Sequence, residues 1–184
     1  RYKPNTKIVI PHGEKRLEHR PVVVGLGPAG LFAAYVLAKH GYRPLVLERG
    51  GDLAERDKVV DAFWKGGALD TDCNIQFGEG GAGTFSDGKL NTGIKSPHIR
   101  HVLETFVEAG ADGSILYDSR PHIGTYVLRE VVKNIRKRIQ DAGGEVRFGC
   151  RVEQVLMEDG RTGGVLLAGG ERIQSRTVVL AVGH

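Results

Sequence analysis

Residues 22–30 read "VVVGLGPAG". Three β-branched residues run straight into a turn that carries Gly25, Gly27 and Gly30. An uninterrupted β-branched run of this kind is a buried parallel strand, here residues 21–24, "PVVV". Pro28 suits the first position of a helix, where its missing N–H costs nothing. Residues 29–40 are rich in Ala and Leu, and Gly41 stands where a C-terminal cap belongs. "PLVLE" (44–48) is a second buried strand, so the stretch reads strand, glycine turn, helix, strand.

The spacing of the glycines has a physical reading. Gly25 permits a tight turn, Gly27 lets backbone approach a pyrophosphate, and Gly30 lets helix and strand pack closely. The helix N-terminus offers unpaired N–H groups and a partial positive charge to phosphates. Glu48 ends the second strand, 23 residues beyond Gly25. An acid there can accept both ribose hydroxyls of an adenosine and would repel a 2′-phosphate, which favours FAD or NAD over NADP. The competing reading is a structural glycine turn in another α/β protein.

The rest of the chain fits one soluble domain. It has 184 residues, 40% hydrophobic and 26% charged, with no apolar run near the ~20 residues of a membrane span. Six Lys/Arg and two Asp/Glu fall in residues 1–20, which accounts for the whole net charge of +4. The remainder is balanced, so a nucleic-acid footprint is a poor reading. We expect residues 1–20 to be a basic lead-in or linker. Cys73 and Cys150 lie far apart, which argues against a zinc site, a disulfide framework or a redox dithiol and fits a reducing cytoplasm.

Further elements follow from periodicity. "KIVI" (7–10) reads as a short strand and residues 12–20 as irregular or weakly helical. Residues 50–98 read as glycine-rich connection without long apolar runs. Residues 102–110 have helical spacing, and "SILY" (114–117) reads as a short strand. The clearest amphipathic helix begins at Thr125. Its face of Val127, Leu128, Val131, Val132, Ile135 and Ile139 is apolar, and Gly143 and Gly144 end it. "EVRF" (145–148) is a strand, residues 151–170 a hairpin through Asp159-Gly160, and residues 171–183 two more strands.

Three longer stretches carry a resemblance: "NIQFGEGGAGTFSDGKLNT" (74–92), "RPHIGTYVLREVVKNIRKRI" (120–139) and "TVVLAVGH" (177–184). With the glycine turn, they resemble the two-dinucleotide-binding-domain flavoproteins. The nearest group is the bacterial FAD-dependent dehydrogenases, or NAD(P)/FAD-dependent oxidoreductases. The resemblance covers residues 20 to 184. It implies an α/β fold of the FAD/NAD(P)-binding Rossmann type. A parallel central sheet would carry helices on one face and a small antiparallel hairpin layer (151–174) on the other. Residues 21–184 would be the N-terminal part of an FAD-binding domain, and the chain a fragment of a longer FAD-dependent oxidoreductase, itself inactive.

The resemblance also implies roles. Gly25, Gly27, Pro28, Ala29 and Gly30 would hold the pyrophosphate, Glu48 the adenosine ribose, and Arg49 would line the same end. Gly80, Gly81, Ala82 and Gly83 would pass the pyrophosphate and reach toward the flavin, with backbone N–H groups turned to the anion. Val152 would meet the adenine, and Gly183 would abut the cofactor at a strand end. FAD is the expected cofactor, with NAD(P)H as a possible electron donor and a small molecule of unknown identity as substrate. No nucleic-acid or membrane partner is expected. The alternative is a non-catalytic FAD- or NAD-binding module.

Catalytic candidates are weaker. Lys89 could stabilise a reduced flavin or be a surface lysine on a glycine loop, and Asp87 and Asn91 share that status. His122 could face a substrate, yet it precedes a helix that Thr125 could cap. His98 and His101 share a helical turn without a third ligand, so no metal is expected. Cys73 reads as a buried thiol and Trp64 as core or cap packing.

Overall fold

A computed structural model of the chain describes residues 9–11, 16–90 and 92–183. The expected strand at 7–10 falls partly outside them, and Val9 and Ile10 are exposed and not in a strand. Residues 12–15 and Asn91 also lie outside the described residues, and residues 16–20 form no helix.

The central sheet is built from β1 (Val22–Val24), β2 (Leu45–Leu47), β3 (Glu145–Arg147) and β7 (Val178–Leu180), in the order β3-β2-β1-β7. All its pairings are parallel, with Val23 opposite Val46 on one side and Val179 on the other. Alternation along β1 and β2 separates two cores. Val23 and Val46 join the helices α1 (Pro28–Lys39), α3 (His98–Glu108) and α4 (Thr125–Asp141) through Leu31, Ala34, Phe106, Val131 and Ile135. Val22, Val24, Leu45 and Leu47 face the other way, onto Val165 and Leu167. These two belong to an antiparallel meander of β4 (Val152–Glu158), β5 (Arg161–Leu167) and β6 (Arg172–Gln174). Asp159 and Gly160 both take positive φ, 48° and 73°, as a two-residue hairpin turn requires.

Two elements differ from the sequence reading. Residues 50–98 contain a full helix, α2 (Leu53–Trp64), whose N-cap Asp52 accepts from the N–H groups of Ala54 and Glu55. "SILY" is not a strand. Gly113–Leu116 is a 3₁₀ turn started by Asp112, whose side chain accepts from Ser114 N–H. The local cap wins there, and among the described residues neither sheet takes the segment in as a strand. Asp52→Ala should cost about 1 kcal/mol in urea denaturation, the usual value of such a cap.

The chain order places the functional cleft. From β1 the chain moves outward to β2 and β3, then returns to β7 on the opposite side of β1. The order of a parallel sheet reverses at β1, and ligands of open α/β sheets bind beyond the strand ends at such a point.

Candidate dinucleotide-binding crevice

A cleft of about 670 Å³ opens at that point. Its floor is the Gly25–Ala29 turn, and its walls are Leu47–Arg49, Gln76–Gly78, Gly81–Ala82, Cys150–Val152 and Ala181–Gly183. The three turn glycines divide their work. Gly25 has φ +96°, and a Cβ there would lie 2.5 Å from the Ala181 carbonyl oxygen. A Cβ on Gly30 would lie 1.9 Å from the Gly25 carbonyl oxygen. Gly27 alone is open, with no atom within 4 Å of a Cβ built on it. Helix geometry leaves the N–H groups of Ala29 and Gly30, in the first turn of α1, without an intrahelical acceptor.

Glu48 is buried, at 4% exposure. Its Oε2 accepts from Leu26 N–H at 2.8 Å and its Oε1 from Gly50 N–H at 2.9 Å. The carboxylate therefore stitches the end of β2 to the glycine turn. A carboxylate has about four acceptor sites, so capacity remains toward the crevice that it lines. The Arg49 guanidinium lies 5.7 Å from the Phe77 ring centre and 3.8 Å from Asp72. A second cavity of about 550 Å³ shares Arg49, Cys150 and Arg151 with the crevice and extends to Leu167–Gly169 and Glu171.

Of the residues expected at a cofactor site, Gly25, Gly27, Pro28, Ala29, Glu48, Arg49, Gly81, Ala82, Val152 and Gly183 line the crevice. Gly30, Gly80 and Gly83 do not. Gly30 is packed under Gly25, and Gly83 stands beside Leu128. Gly80 fits against Thr84 and Val132 and gives its N–H to Leu26 O. Sequence reasoning missed Gln76, Phe77, Gly78, Cys150, Arg151, Ala181 and Val182. The neighbours of Val152 and Gly183 were within reach of the same strand-end argument. Phe77 was not, because only the fold lays its ring against Gly183, 3.1 Å from a Cβ built there.

Lys89 and His122 are brought together, away from the crevice lining. Their segments pair through Leu90 N–H to Pro121 O and Ile123 N–H to Gly88 O. Lys89 Nζ meets Asp87 Oδ2 at 2.7 Å, and His122 Nε2 lies 2.6 Å from Asp87 O. Their mutual hydrogen bond lowers the Asp87 pKa and raises that of Lys89. Thr125 does not cap α4. Gly124 holds the N-cap position, and Thr125 Oγ1 contacts Ser86 O instead. Trp64 is not in the core either. It is exposed and meets Phe85 edge-on at 6.2 Å. Cys73 is buried, which raises its thiol pKa, and both cysteines are free. Among the described residues no group of three or more His, Cys, Asp or Glu could hold a metal ion. No helix among them is long and apolar enough to cross a membrane.

Beneath the crevice lie two wholly buried charges, Arg56 and Glu79. Glu79 Oε2 accepts from Leu53 N–H at 2.8 Å, and its Oε1 stands 3.1 Å from Arg136 Nε as an ion pair outside hydrogen-bond geometry. Burial pushes the Glu79 pKa up from 4.5, and Arg136 opposes the shift only in part. The native state thus holds this proton more tightly than the unfolded chain does. The Glu79 contribution to stability is then fully present below the ordinary carboxylate range and is lost as pH rises through the raised pKa. Glu79→Gln should remove that slope. Urea denaturation of both proteins across a pH series upward from 4.5 checks it, and parallel stability curves would contradict it.

Strand order, switch point and glycine turn together define a dinucleotide-binding fold of the Rossmann type. Comparison agrees: residues 23–62 match the family model described as NAD(P)-binding Rossmann-like domain. The chain is 48% identical over 175 residues to an uncharacterized protein of Clostridium beijerinckii, covering 95% of this chain and 33% of that one. It is 25% identical over 164 residues to the FAD-dependent monooxygenase nodY1 of Hypoxylon pulicicidum, covering 88% of this chain and 36% of that one. In fold it is similar to the L-proline dehydrogenase of P. horikoshii, with a TM-score of 0.58 at 14% identity over 90% of this chain and 53% of that one. The chain spans about a third of the length of the curated relatives named here.

Proposed function

We propose that this chain is the FAD-binding portion of a flavin-dependent oxidoreductase of the dehydrogenase class. The observation that carries the reading is the crevice itself. An open Gly27 stands at the N-terminus of α1, and the buried acid Glu48 ends the neighbouring strand. At about 670 Å³ the cleft has room for a dinucleotide. Gly27 admits a phosphate where any side chain would stand in the way. Ala29, at the start of α1, offers its unpaired N–H there, and the helix end adds partial positive charge. Glu48 accepts from ribose hydroxyls and disfavours a 2′-phosphate, while Val152 and Cys150 form an apolar wall at the adenosine end. A bound flavin supplies the two-electron chemistry, and the protein supplies its placement. A small-molecule substrate and a nicotinamide electron donor belong to the same reading. The two free cysteines support residence in the reducing cytoplasm.

The test is to denature the intact protein and identify the released nucleotide by chromatography. FAD is expected, and FMN alone would overturn the reading, since FMN has no adenosine ribose for Glu48. Anaerobic bleaching of the bound flavin by NADH or NADPH then separates an enzyme from a non-catalytic module. Glu48→Ala should weaken FAD binding by about 1–3 kcal/mol, the value of hydrogen bonds to an ionised acceptor.

A further inference from the structure

The loop that forms one wall of the crevice rests on a buried cation. Arg56, on α2, has no exposed surface, and its hydrogen bonds go to carbonyls and one hydroxyl. Nε and Nη2 donate to Asn74 O at 3.2 and 2.9 Å, and Nη2 to Ile75 O at 3.1 Å. Nη1 donates to Glu79 O at 2.5 Å, Gly81 O at 3.4 Å and Thr84 Oγ1 at 3.1 Å. Both feet of the 74–81 loop are thus tied to one guanidinium. Burying a cation is costly, and the nearby Glu48 and Glu79 carboxylates favour its charge without taking any of its hydrogen bonds, so its geometry calls for a reason.

Peptide planarity supplies one. In a trans peptide the C=O and the following N–H point in opposite directions. The Gly81 carbonyl is held inward by Arg56, by Thr84 Oγ1 at 2.8 Å and by Thr84 N–H at 3.3 Å. The N–H of the same peptide unit belongs to Ala82, and it must point outward, where Ala82 lines the crevice. The Glu79 carbonyl is held the same way, and its partner N–H, on Gly80, binds Leu26 O at 2.9 Å. Gly81 also packs on the Pro28 ring, 2.6 Å from a Cβ built there, which sets the Ala82 amide beside the start of α1.

We propose that Arg56 is a positioning residue for a diphosphate in the crevice: it fixes the loop, aims the Ala82 N–H at the anion and places a positive charge behind it. This rests on the nucleotide reading above. The intact protein, stripped of nucleotide, is titrated with adenosine and with ADP by calorimetry. The wild type should bind ADP more tightly than adenosine. In Arg56→Met the ratio of the two affinities should fall by about tenfold or more while adenosine affinity is kept, and Arg56→Lys should recover part of it. Ala82→Pro leaves Arg56 in place and replaces the N–H by a ring carbon, at a first helical position where proline fits. It should lower the same ratio, and it decides the matter if Arg56→Met does not fold. An unchanged ratio in Ala82→Pro overturns the proposal, as does equal loss of both ligands in a folded Arg56→Met. A wild type that binds adenosine and ADP alike overturns it too, while leaving the adenosine site standing. A wild type that binds neither removes the nucleotide reading and the proposal together.

Discussion

The Gly27→Val protein should fold like the wild type and retain no dinucleotide. Gly27 has φ −65° and ψ −176°, a conformation open to any residue, so the substitution brings no backbone strain. Among the described residues, and apart from its own chain neighbours, no atom lies within 4 Å of the new Cβ, so the fold leaves room for it. The cost to stability is that of a poor N-cap residue, about 1 kcal/mol or less. The cost to binding is much larger. The added side chain enters the crevice beside the first turn of α1, where the proposed function puts a pyrophosphate. A loss of about a hundredfold or more in affinity, near 3 kcal/mol, is expected. Flavin content after purification and a urea melt of the same sample measure the two effects separately. Gly27→Ser keeps a good N-cap and should lose ligand as well, which separates bulk from capping. Wild-type flavin content in either variant would mean that the turn serves the fold alone.

Much of this site was legible because its signals are local. A β-branched run, three glycines and a proline at the first helical position specify β1, the turn and α1 with no knowledge of the rest of the fold. The acid at the end of β2 was visible for the same reason. What Glu48 does within the protein was not, because its partners Leu26 N–H and Gly50 N–H meet it only after β1 and β2 pair. Helix α2 escaped notice under a general impression of glycine richness, yet residues 53–64 contain no glycine and Asp52 is a good cap. Arg56 lay beyond any pattern. An arginine in a polar stretch reads as surface, and it takes the carbonyls of residues 74, 75, 79 and 81 and the Thr84 hydroxyl, brought together by the fold, to make its burial tolerable. Lys89 and His122 show the converse. Each was a weak candidate on its own motif, and the chain pairs them in one small ribbon in which the Asp87 carboxylate already holds Lys89.

The third glycine should behave in the opposite way to the second. Gly30→Ala is expected to destabilise the ligand-free protein by about 3 kcal/mol, at the upper end of the usual cost of overpacking. Two effects compete at this position. Alanine favours a helix over glycine by about 1 kcal/mol, and Gly30 lies in the first turn of α1. Against that, the new Cβ would stand 1.9 Å from the Gly25 carbonyl oxygen and 3.3 Å from Ala181 Cβ. The first of these is backbone, so no rotamer relieves it. Gly25 cannot retreat, because its N–H is bound to Leu47 O at 2.8 Å and its own Cα faces the Ala181 carbonyl. The helix must therefore move off β1, which opens the core around Val23, Leu31 and Ala34. A whole domain is worth about 5–15 kcal/mol, so this loss should be plain in a urea melt of nucleotide-free protein. Ligand loss in Gly30→Ala should follow from the displaced turn and be partial, whereas in Gly27→Val it should reach about a hundredfold or more at a stability cost of only about 1 kcal/mol or less. Equal melts for Gly30→Ala and wild type would show that α1 can shift on the sheet at little cost, and would remove the structural reason for the third glycine.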